Sequence, residues 1–510
     1  DGGGQILFPA GNSVFPQKEE CLNKKTLAEE LAAYGSAGVY PLHMPGHKRR
    51  LWPEGCGGEG AETLRLAARL DITEIDGFDN LHQPDGILKE GMELAARLYG
   101  ADDAFYSVNG STAGILTALS AAVPEGGKLL MARNCHRSVY HGAYLRGMEL
   151  SYLYPETLPD IGLAGAVTPK QVEKGLADCP DAAAVLVVSP TYDGVTADIR
   201  GIAEAVHKKP GCLLIVDAAH GAHFGFHPAF PESPVRLGAD LAVVSLHKTM
   251  PCMTQTALLL VGGNRVNREK LRLFDDIYQT SSPSYLLMAS VDACLRLVEE
   301  KGASLWDKFF EDREDFLQKT GGLEGIRNFT AGWMYGAGQG ISDPKAAFSM
   351  DPCKILAETS KTCLTGKQFY DILLRQYHLQ MEMAAGNYVT AIMTCCDGKD
   401  GWDRLADALL ELEKEYTLRE PQKIRERIPY PKLSCGCSLK EALDAPKEKV
   451  ALEKAQGRIA GGFINLYPPG IPLAVPGERL SRSAVELLMG YGQQNLPLVG
   501  VDDGAITILK

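Results

Sequence analysis

The chain has 510 residues, of which 45% are hydrophobic and 23% are charged, and its formal net charge is −12. A chain of this length exceeds a single hydrophobic core, so we expect a globular protein of two or three domains. No apolar run is long enough to cross a bilayer. The negative charge argues against a nucleic-acid or acidic-membrane partner and favours the approach of cationic small molecules.

The thirteen cysteines indicate free thiols rather than disulfides or a metal site. They are scattered singly apart from Cys395–Cys396 and Cys435-Gly-Cys437, with no CxxC pair and no histidine at zinc-type spacing. This usage is typical of a reducing cytoplasm with mostly buried thiols. The sequence therefore predicts a cytoplasmic protein without a metal.

The first hundred residues predict two helices separated by loops. Residues 1–20 lack an initiator methionine and are set aside as a leader or tag remnant. Residues 24–36 and 87–99 have helical patterns. Between them lie a Pro-Gly turn around His43–Lys48 and a carboxylate-rich stretch over 71–86. That stretch predicts a surface loop or one wall of a cationic pocket.

Residues 100–263 alternate between short apolar segments and helical patterns. Strands are predicted over 128–134, 183–190, 211–217, 241–247 and 257–263, and helices over 111–123, 169–178 and 200–208. Apolar runs without alternation are typical of strands covered on both faces, and the repeating order indicates a mostly parallel sheet. Ligands bind beyond the carboxyl ends of such strands, so polar residues there become site candidates.

The C-terminal half predicts a second, smaller α/β domain. Helices are predicted over 285–300, 401–416 and 480–492, and strands over 381–396 and 505–510. Four prolines within 461–478 predict a rigid extended segment. The predicted division is an N-terminal segment (1–60), a large domain (61–300) and a C-terminal domain (301–510).

Lys248 is the main candidate for chemistry, because an apolar strand runs directly into it in VVSLHKTM. A lysine at the mouth of an apolar pocket has a lowered pKa, so more of it is free amine. A free amine suits Schiff-base chemistry with a carbonyl or with pyridoxal phosphate (PLP). Taken alone, the segment is better explained by a solvated lysine past a strand end.

A phosphate-binding turn is predicted at Asn109-Gly110-Ser111-Thr112, at the start of a helix. Free N–H groups and the helix dipole attract a phosphate there, Gly110 permits close approach, and the hydroxyls of Ser111 and Thr112 add donors. The alternative explanation of these residues is an ordinary helix N-cap without a ligand.

Asp217 ends an apolar strand, where a carboxylate needs a partner. Facing a pyridine nitrogen, it would keep that nitrogen protonated. Ala219 is small enough to lie beneath a ring, and His220 follows it. An N-cap after a strand is an equally good explanation of Asp217 alone. Lys248 comes 31 residues later, so one crossover places both residues at the ends of nearby strands.

The chain resembles the Orn/Lys/Arg decarboxylase family in segments that follow one another from about residue 40 to 480: PGHK, DGFDNLHQPDG, NGST, NCHRSVYHG, SPTYDG, DAAHGAHFGFHP, SLHKTMPCMTQTALL, TSSPSY and YPPGIPLAVPGE. The family consists of PLP enzymes of the aspartate-aminotransferase fold type. The resemblance is to its shorter members. It implies fold type I, with a mostly parallel seven-stranded sheet in the large domain.

The resemblance also implies roles for individual residues. Lys248 is the Schiff-base lysine, Asp217 the pyridinium partner, and Ala219 and His136 sandwich the ring. The implied phosphate ligands are Gly110, Ser111, Thr112, Ser245 and His247. Thr280 and Ser281 are implied to reach the cofactor across a homodimer interface, and larger assemblies stay open.

The implied reaction is PLP-dependent decarboxylation of arginine, lysine or ornithine, of the kind used in polyamine metabolism. Lys248, His136 and His220 are the catalytic candidates, since Lys248 or a histidine must return a proton to Cα after CO2 leaves. Asp76, Asp79 and Glu382 are candidates for holding a cationic side chain, and for the two aspartates a solvated acidic loop is at least as good an explanation. Ala385 stands where the family often has an aspartate.

Two alternatives stay open at this stage. An aminotransferase or Cβ-lyase would need an arginine for the substrate carboxylate and would release no CO2. A catalytically idle homologue would bind PLP or only dimerise, but the intact set of Lys248, Asp217 and phosphate-binding residues argues against it.

Overall fold

The computed structural model describes residues 25–37, 45, 67–158, 163–330, 348–417, 432–466, 471–493 and 498–510. The predictions for 1–20 and, apart from Pro45, for His43–Lys48 lie outside these residues. The helices run over Leu27–Ser36, Ile87–Tyr99, Gly110–Ala122, Arg137–Leu145, Pro169–Asp178, Ile199–His207, Leu246–Thr249, Arg268–Tyr278, Tyr285–Thr320, Gly366–Tyr377, Lys399–Tyr416, Leu439–Asp444 and Arg482–Gln493, with a 3-10 turn at Leu452–Lys454.

A seven-stranded sheet forms the centre of the large domain. In spatial order its strands are Asp103–Ser107, Ala257–Val261, Leu241–Val244, Leu213–Asp217, Ala182–Val188, Lys128–Ala132 and Glu149–Leu153. Ala257–Val261 is antiparallel to both of its neighbours, and the other neighbouring strands pair in parallel. The prediction of a mostly parallel seven-stranded sheet is confirmed.

The five predicted strands are all present, and each is shorter than predicted. The edge strands Asp103–Ser107 and Glu149–Leu153 are missing from the prediction, because edge strands keep polar residues and lack a continuous apolar run. The prediction for 241–247 was wrong at its end. The strand stops at Val244, and the chain turns into the short helix Leu246–Thr249.

An antiparallel four-stranded sheet follows in the second half of the chain and shares a hydrophobic core with the central sheet. Its strands, in spatial order, are Arg327–Asn328, Lys354–Glu358, Tyr388–Ile392 and Met383–Ala385. The single strand predicted over 381–396 was wrong. The chain forms a hairpin there, because Gly386 adopts a φ of +52° and allows the reversal.

The C-terminal region has its own small core around Leu473, Leu480 and Ile508. One of its sheets contains Lys447–Ala451, Ala505–Leu509 and Val501–Asp502, and a second contains Ile471–Ala474, Ile464–Leu466 and Leu498–Val499. A third is the pair Ser434–Cys435 and Glu478–Arg479. Outside this region lie two further strand pairs, Val195–Thr196 with Ser349–Met350 and Thr157–Leu158 with Leu163–Ala164. The predicted domain boundary at residue 300 falls inside the helix Tyr285–Thr320, and the three-part division stays a prediction.

A buried ion pair ties this C-terminal region to the central sheet. Arg133, directly after the strand Lys128–Ala132, is 1% exposed, and Glu478 is 3% exposed. The guanidinium donates to both carboxylate oxygens, at 3.2 and 2.9 Å, and to the carbonyl of Pro472 at 2.7 Å. This bidentate pair fixes one end of the proline-rich segment against the large domain.

We expect Glu478→Ala to lower the free energy of unfolding by about 3–5 kcal/mol, because it leaves a buried guanidinium unpaired. Urea unfolding monitored by circular dichroism measures this loss. Glu486→Ala is the control, since Glu486 forms an exposed pair with Arg482 and should cost less than about 1 kcal/mol. Equal losses in the two variants would contradict the role assigned to Arg133 and Glu478.

No helix among the described residues has the length and apolar character needed to span a membrane. The eleven described cysteines are free, as predicted, but only five of them are buried. The expectation of mostly buried thiols was therefore wrong for this part of the chain.

Candidate active site

Lys248 lies at the carboxyl end of the central sheet, in the helical turn Leu246–Thr249. Its side chain is partly buried, and its Nζ lies 3.1 Å from His220 Nε2. Burial lowers the pKa of Lys248, and the charge of Lys354 adds to this shift, while Asp217 opposes it. The site therefore raises the fraction of free amine, which Schiff-base chemistry needs.

Asp217 ends the strand Leu213–Asp217 and is 5% exposed. Among the described residues, its carboxylate has one hydrogen bond, from the backbone N–H of Ala219 at 3.2 Å, and no ion pair. Burial raises the pKa of Asp217, while Lys248 and that N–H oppose the shift. Turns rather than a helix follow the strand, which removes the N-cap alternative. The carboxylate suits a cationic ligand group such as a protonated ring nitrogen.

The segments that contain Asp217 and Lys248 are neighbours. Their strands pair in parallel with Asp217 opposite Val243. The backbone N–H of Ser245 then donates to the carbonyl of Ala219 at 3.3 Å. The crossover expected from the 31-residue spacing therefore leads to the adjacent strand.

The NGST turn begins the helix Gly110–Ala122, which has no side-chain cap. Gly110 takes a φ of +78°, and a Cβ at this position would lie 3.7 Å from the carbonyl oxygen of Gln255. His247 Nδ1 in turn lies 2.9 Å from the carbonyl oxygen of Thr256. The loop that follows Lys248 therefore contacts the NGST turn through Gln255 and His247 through Thr256.

The hydroxyl of Ser245 supports an anion site near this turn. Its Oγ is fully buried and has no hydrogen-bond partner among the described residues. Ser111 is partly buried, and Thr112 is exposed at the first turn of the helix. Uncapped N–H groups, two accessible hydroxyls and an unpaired buried hydroxyl are the donors that a phosphate group needs.

His136 is the N-cap of the helix Arg137–Leu145. Its Nδ1 accepts the backbone N–H of Ser138 at 3.2 Å, which fixes the ring. Desolvation lowers the pKa of His136, and Lys248 adds to the shift, although part of the residue is exposed. The structure thus brings a neutral imidazole near Lys248, and its stacking on a cofactor stays a prediction.

Thr280 and Ser281 follow the helix Arg268–Tyr278 on a partly exposed segment. The carbonyl oxygen of Thr280 lies 2.9 Å from His82 Nε2. The adjacent Gln279 accepts the backbone N–H of Val108 at 3.1 Å, so the segment borders the residues before the NGST turn of its own chain. That Thr280 and Ser281 reach into a partner subunit's site stays a prediction.

The carboxylate of Asp79 has a structural role in its own loop. The carboxylate of Asp79 accepts backbone N–H groups of its own loop and of the next helix, from Asn80, Asp85, Gly86, Leu88 and Lys89. Burial raises the pKa of Asp79, but these N–H groups outweigh it, and the net shift is downward. Asp79 thus stabilises the helix Ile87–Tyr99, and Asp76 is exposed. A role for either aspartate in holding a cationic substrate stays a prediction.

Glu382 is exposed and accepts a hydrogen bond from the hydroxyl of Tyr192. The Tyr192 ring packs edge-to-face on His220, with 4.8 Å between centroids. Glu382 therefore lies beside the Lys248–His220 pair. Ala385 is 4% exposed in the core, on the opposite side of the extended chain, so an aspartate at 385 would not lie beside Glu382.

Lys354 is a site residue that the sequence analysis missed. It is 0% exposed, and its Nζ lies 3.1 Å from His220 Nδ1. The segment DPCKILAE gives no signal for it, because a lysine at the start of a strand predicts a solvated side chain.

These residues fit PLP. Lys248 offers the amine, Asp217 an uncompensated buried carboxylate, and the region around Gly110 and Ser245 unpaired donors for a phosphate.

The matches to known families now decide the assignment. Residues 26–373 match the model of the Orn/Lys/Arg decarboxylase major domain, and residues 421–494 match that of its C-terminal domain. The chain belongs to the Orn/Lys/Arg decarboxylase family. This confirms the predicted fold class and the prediction of a PLP-dependent decarboxylase acting on a basic amino acid.

Individual members of the Orn/Lys/Arg decarboxylase family extend this likeness over most of the chain. The chain is 30% identical to an arginine decarboxylase of Bacillus subtilis, over 94% of this chain and 96% of the relative. It is 31% identical to an arginine decarboxylase of Halalkalibacterium halodurans, again over 94% of this chain and 96% of the relative. The structure of a Francisella novicida lysine decarboxylase matches with a TM-score of 0.78 and 19% identity, covering 95% of this chain and 81% of the other.

Proposed function

We propose that this protein converts arginine to the corresponding amine and CO2. The observation that carries the choice of arginine is the carboxylate of Glu382, which lies beside Lys248 and His220 and forms no ion pair among the described residues. A carboxylate pairs well with a planar guanidinium, which it can bind through two hydrogen bonds. The likeness to relatives named arginine decarboxylase over 94% of the chain supports the same choice.

We assign the cofactor-holding roles as follows. Lys248 would hold the cofactor aldehyde, Asp217 would keep the ring nitrogen protonated, and Ala219 and His136 would contact the ring. The phosphate ligands are Gly110, Ser111, Thr112, Ser245 and His247. PLP, when bound, supplies a ring that withdraws the electron pair left at Cα as CO2 departs.

The chain's own residues then control the proton. Lys248 and His220 are 3.1 Å apart, so either can hold the proton that replaces CO2 at Cα. His220 is buried and Lys248 is partly buried, which limits the access of water and would strengthen the interaction of Asp217 with a cationic ring.

The aminotransferase alternative has less support. Among the described residues, the fully buried arginines are Arg133 and Arg313. Arg133 is paired with Glu478, and Arg313 donates to the carbonyls of Pro352 and Thr330. Neither is free to hold a substrate carboxylate.

Incubation with arginine, lysine and ornithine, with CO2 and amine both measured, tests the proposal. We expect CO2 and amine in equal amounts, with the highest kcat/KM for arginine. Transfer of the amino group to a keto acid without CO2 would favour an aminotransferase, and a preference for lysine would contradict the choice of arginine.

We expect Glu382→Gln to raise the KM for arginine by about 10- to 100-fold, because one hydrogen-bonded charge pair is lost. Steady-state kinetics measure this change. Glu411→Gln is a matched control, since Glu411 on the helix Lys399–Tyr416 accepts from Tyr377, at the end of the helix Gly366–Tyr377, in a second tyrosine–glutamate pair. An unchanged KM in Glu382→Gln would show that another group binds the guanidinium.

We also propose that the protein works in the cytoplasm, in polyamine metabolism, as a homodimer or a larger homo-oligomer. Thr280 and Ser281 are assigned to the partner subunit's cofactor site in this assembly. The exposed position of Ser281 supports the assignment.

A further inference from the structure

His220 lies between two lysines that come from different sheets. Its Nε2 is 3.1 Å from Lys248 Nζ, and its Nδ1 is 3.1 Å from Lys354 Nζ. Lys248 follows the central sheet, and Lys354 begins a strand of the four-stranded sheet. Because an amine contacts each ring nitrogen, the protonation of all three groups is linked.

The surroundings of the imidazole between these lysines favour its neutral form. Burial, followed by the charges of Lys354 and Lys248, lowers the pKa of His220 well below its usual value. A neutral imidazole has one N–H donor and one acceptor nitrogen. The lysine that faces the N–H must therefore be a neutral amine that accepts, and the lysine that faces the other nitrogen must donate, which an ammonium always does.

The surroundings determine which lysine carries the charge. Asp351, which is 0% exposed, precedes Lys354 by one turn, and its Oδ1 is fixed by His223 Nε2 at 2.8 Å and by the N–H of Cys353 at 2.9 Å. Burial lowers the pKa of Lys354, while the charges of Asp351 and Glu382 oppose this shift. Lys248 must be a free amine to bind an aldehyde, so we assign the positive charge of the pair to Lys354.

Backbone packing holds Lys354 against His220. Gly194 adopts a φ of +95°, and a Cβ there would lie 2.7 Å from Lys354 Cγ. The carbonyl of Gly194 accepts the N–H of Asp351 at 2.8 Å, which fixes the turn before Lys354. The Tyr192 ring covers His220. This arrangement leaves the ammonium few positions other than the one beside Nδ1.

We propose that Lys354 is a positioning residue that fixes His220 in the tautomer with its proton on Nε2. The ammonium donates to Nδ1, so Nε2–H points to the nitrogen of Lys248 and holds it. The inference rests on the proposed role of Lys248, and it adds a residue that acts on that nitrogen through His220.

Lys354→Met tests the role, because methionine keeps the length and removes the charge. Other titratable and charged groups act on the Lys248–His220 pair, and they stay in place in this variant: Asp217, Glu382, His136 and His247. The visible absorbance of PLP-bound protein is titrated with pH in the wild type, in Lys354→Met and in the control Lys209→Met. Lys209 is a partly buried lysine that donates to the carbonyl of Ala182 outside the site.

We expect the absorbance midpoint of Lys354→Met to move up by about one pH unit, because a nearby positive charge no longer disfavours protonation of the Lys248 nitrogen. The kcat should fall by about 10- to 100-fold. In nitrogen-15 NMR spectra of histidine-labelled protein, assigned with His220→Gln, the His220 signals of the Nε2–H tautomer should be present in the wild type and lost in Lys354→Met. Lys209→Met should change none of these readouts.

A double-mutant cycle separates positioning from a purely structural role. If Lys354 acts through His220, Lys354→Met should reduce kcat little further in the His220→Gln background. The inference would be overturned if the losses of kcat in the two variants were fully additive. It would also be overturned if the absorbance midpoint of Lys354→Met did not move, or if wild-type His220 were the Nδ1–H tautomer. Failure of the proposed decarboxylation is distinguishable, because the absorbance and NMR readouts need no turnover.

Discussion

Replacing Lys248 with alanine is expected to abolish the visible absorbance of bound cofactor and to lower kcat by at least about 10³-fold. Lys248 supplies the only amine assigned to the aldehyde, and His220 and Asp217 are arranged around its nitrogen. Without that nitrogen, PLP is held by its phosphate and ring contacts alone. Absorbance spectra of the purified variant, recorded with excess PLP and after dialysis, measure the first loss, and amine production measures the second.

Lys209→Ala is the control for this result. It removes a partly buried lysine that lies outside the site, so the protein should keep its colour and activity. A Lys248→Ala protein that stays yellow after dialysis and turns over arginine at more than a few per cent of the wild-type rate would refute the assignment of Lys248.

Replacing Asp217 with asparagine should have opposite effects on catalysis and on the stability of the cofactor-free protein. The kcat should fall by roughly 10²-fold or more, because an amide does not keep the ring nitrogen protonated. In the absence of PLP, the carboxylate is buried with one hydrogen bond, and its pKa is raised by that burial. The asparagine variant buries no charged carboxylate, so it lacks this cost in the free energy of folding.

The pH dependence of stability follows from the direction of that shift. A carboxyl whose folded pKa lies above its unfolded pKa gives its full stabilisation below the unfolded value, and this is lost as pH rises through the folded value. Cofactor-free Asp217→Asn should therefore be more stable than the wild type at pH 7, by about 1–3 kcal/mol, with the difference disappearing toward acid pH. Urea unfolding at several pH values measures it.

Asp240→Asn is the matched control for this prediction. Asp240 is 2% exposed, but its carboxylate is paired with His207 at 3.0 Å and Arg265 at 3.2 Å. Its replacement should therefore destabilise the protein at pH 7. If Asp217→Asn and Asp240→Asn destabilise the cofactor-free protein equally, Asp217 has a structural partner and is not reserved for a cationic ring.

The sequence predicted the part of the site that lies at the ends of buried parallel strands. Asp217 and Lys248 each follow a continuous apolar run, and such runs are visible because strands covered on both faces contain few polar residues. The pairing of their strands then places Ala219 and Ser245 together. The resemblance to the family supplied the individual roles.

Three features were missed, and for two of them there is a physical reason. Lys354 contacts His220 across 134 residues of sequence, and only the packing of two sheets brings them together. Asp79 belongs to an acidic loop whose carboxylates look alike in sequence, whereas the fold directs this one to backbone N–H groups. The hairpin at Gly386 was missed although Gly386-Asn387, between two apolar runs, is a typical two-residue hairpin turn.

Borohydride reduction of the PLP-bound protein, followed by peptide mass spectrometry, tests the central claim most directly. Reduction fixes the cofactor to the amine that carries it. This distinguishes Lys248 from Lys354, since the Nζ atoms of both lie 3.1 Å from the imidazole of His220. We expect the pyridoxyl mass on the peptide that contains Lys248 and none on Lys354. Label on Lys354, or no labelled lysine at all, would contradict the site described for this protein.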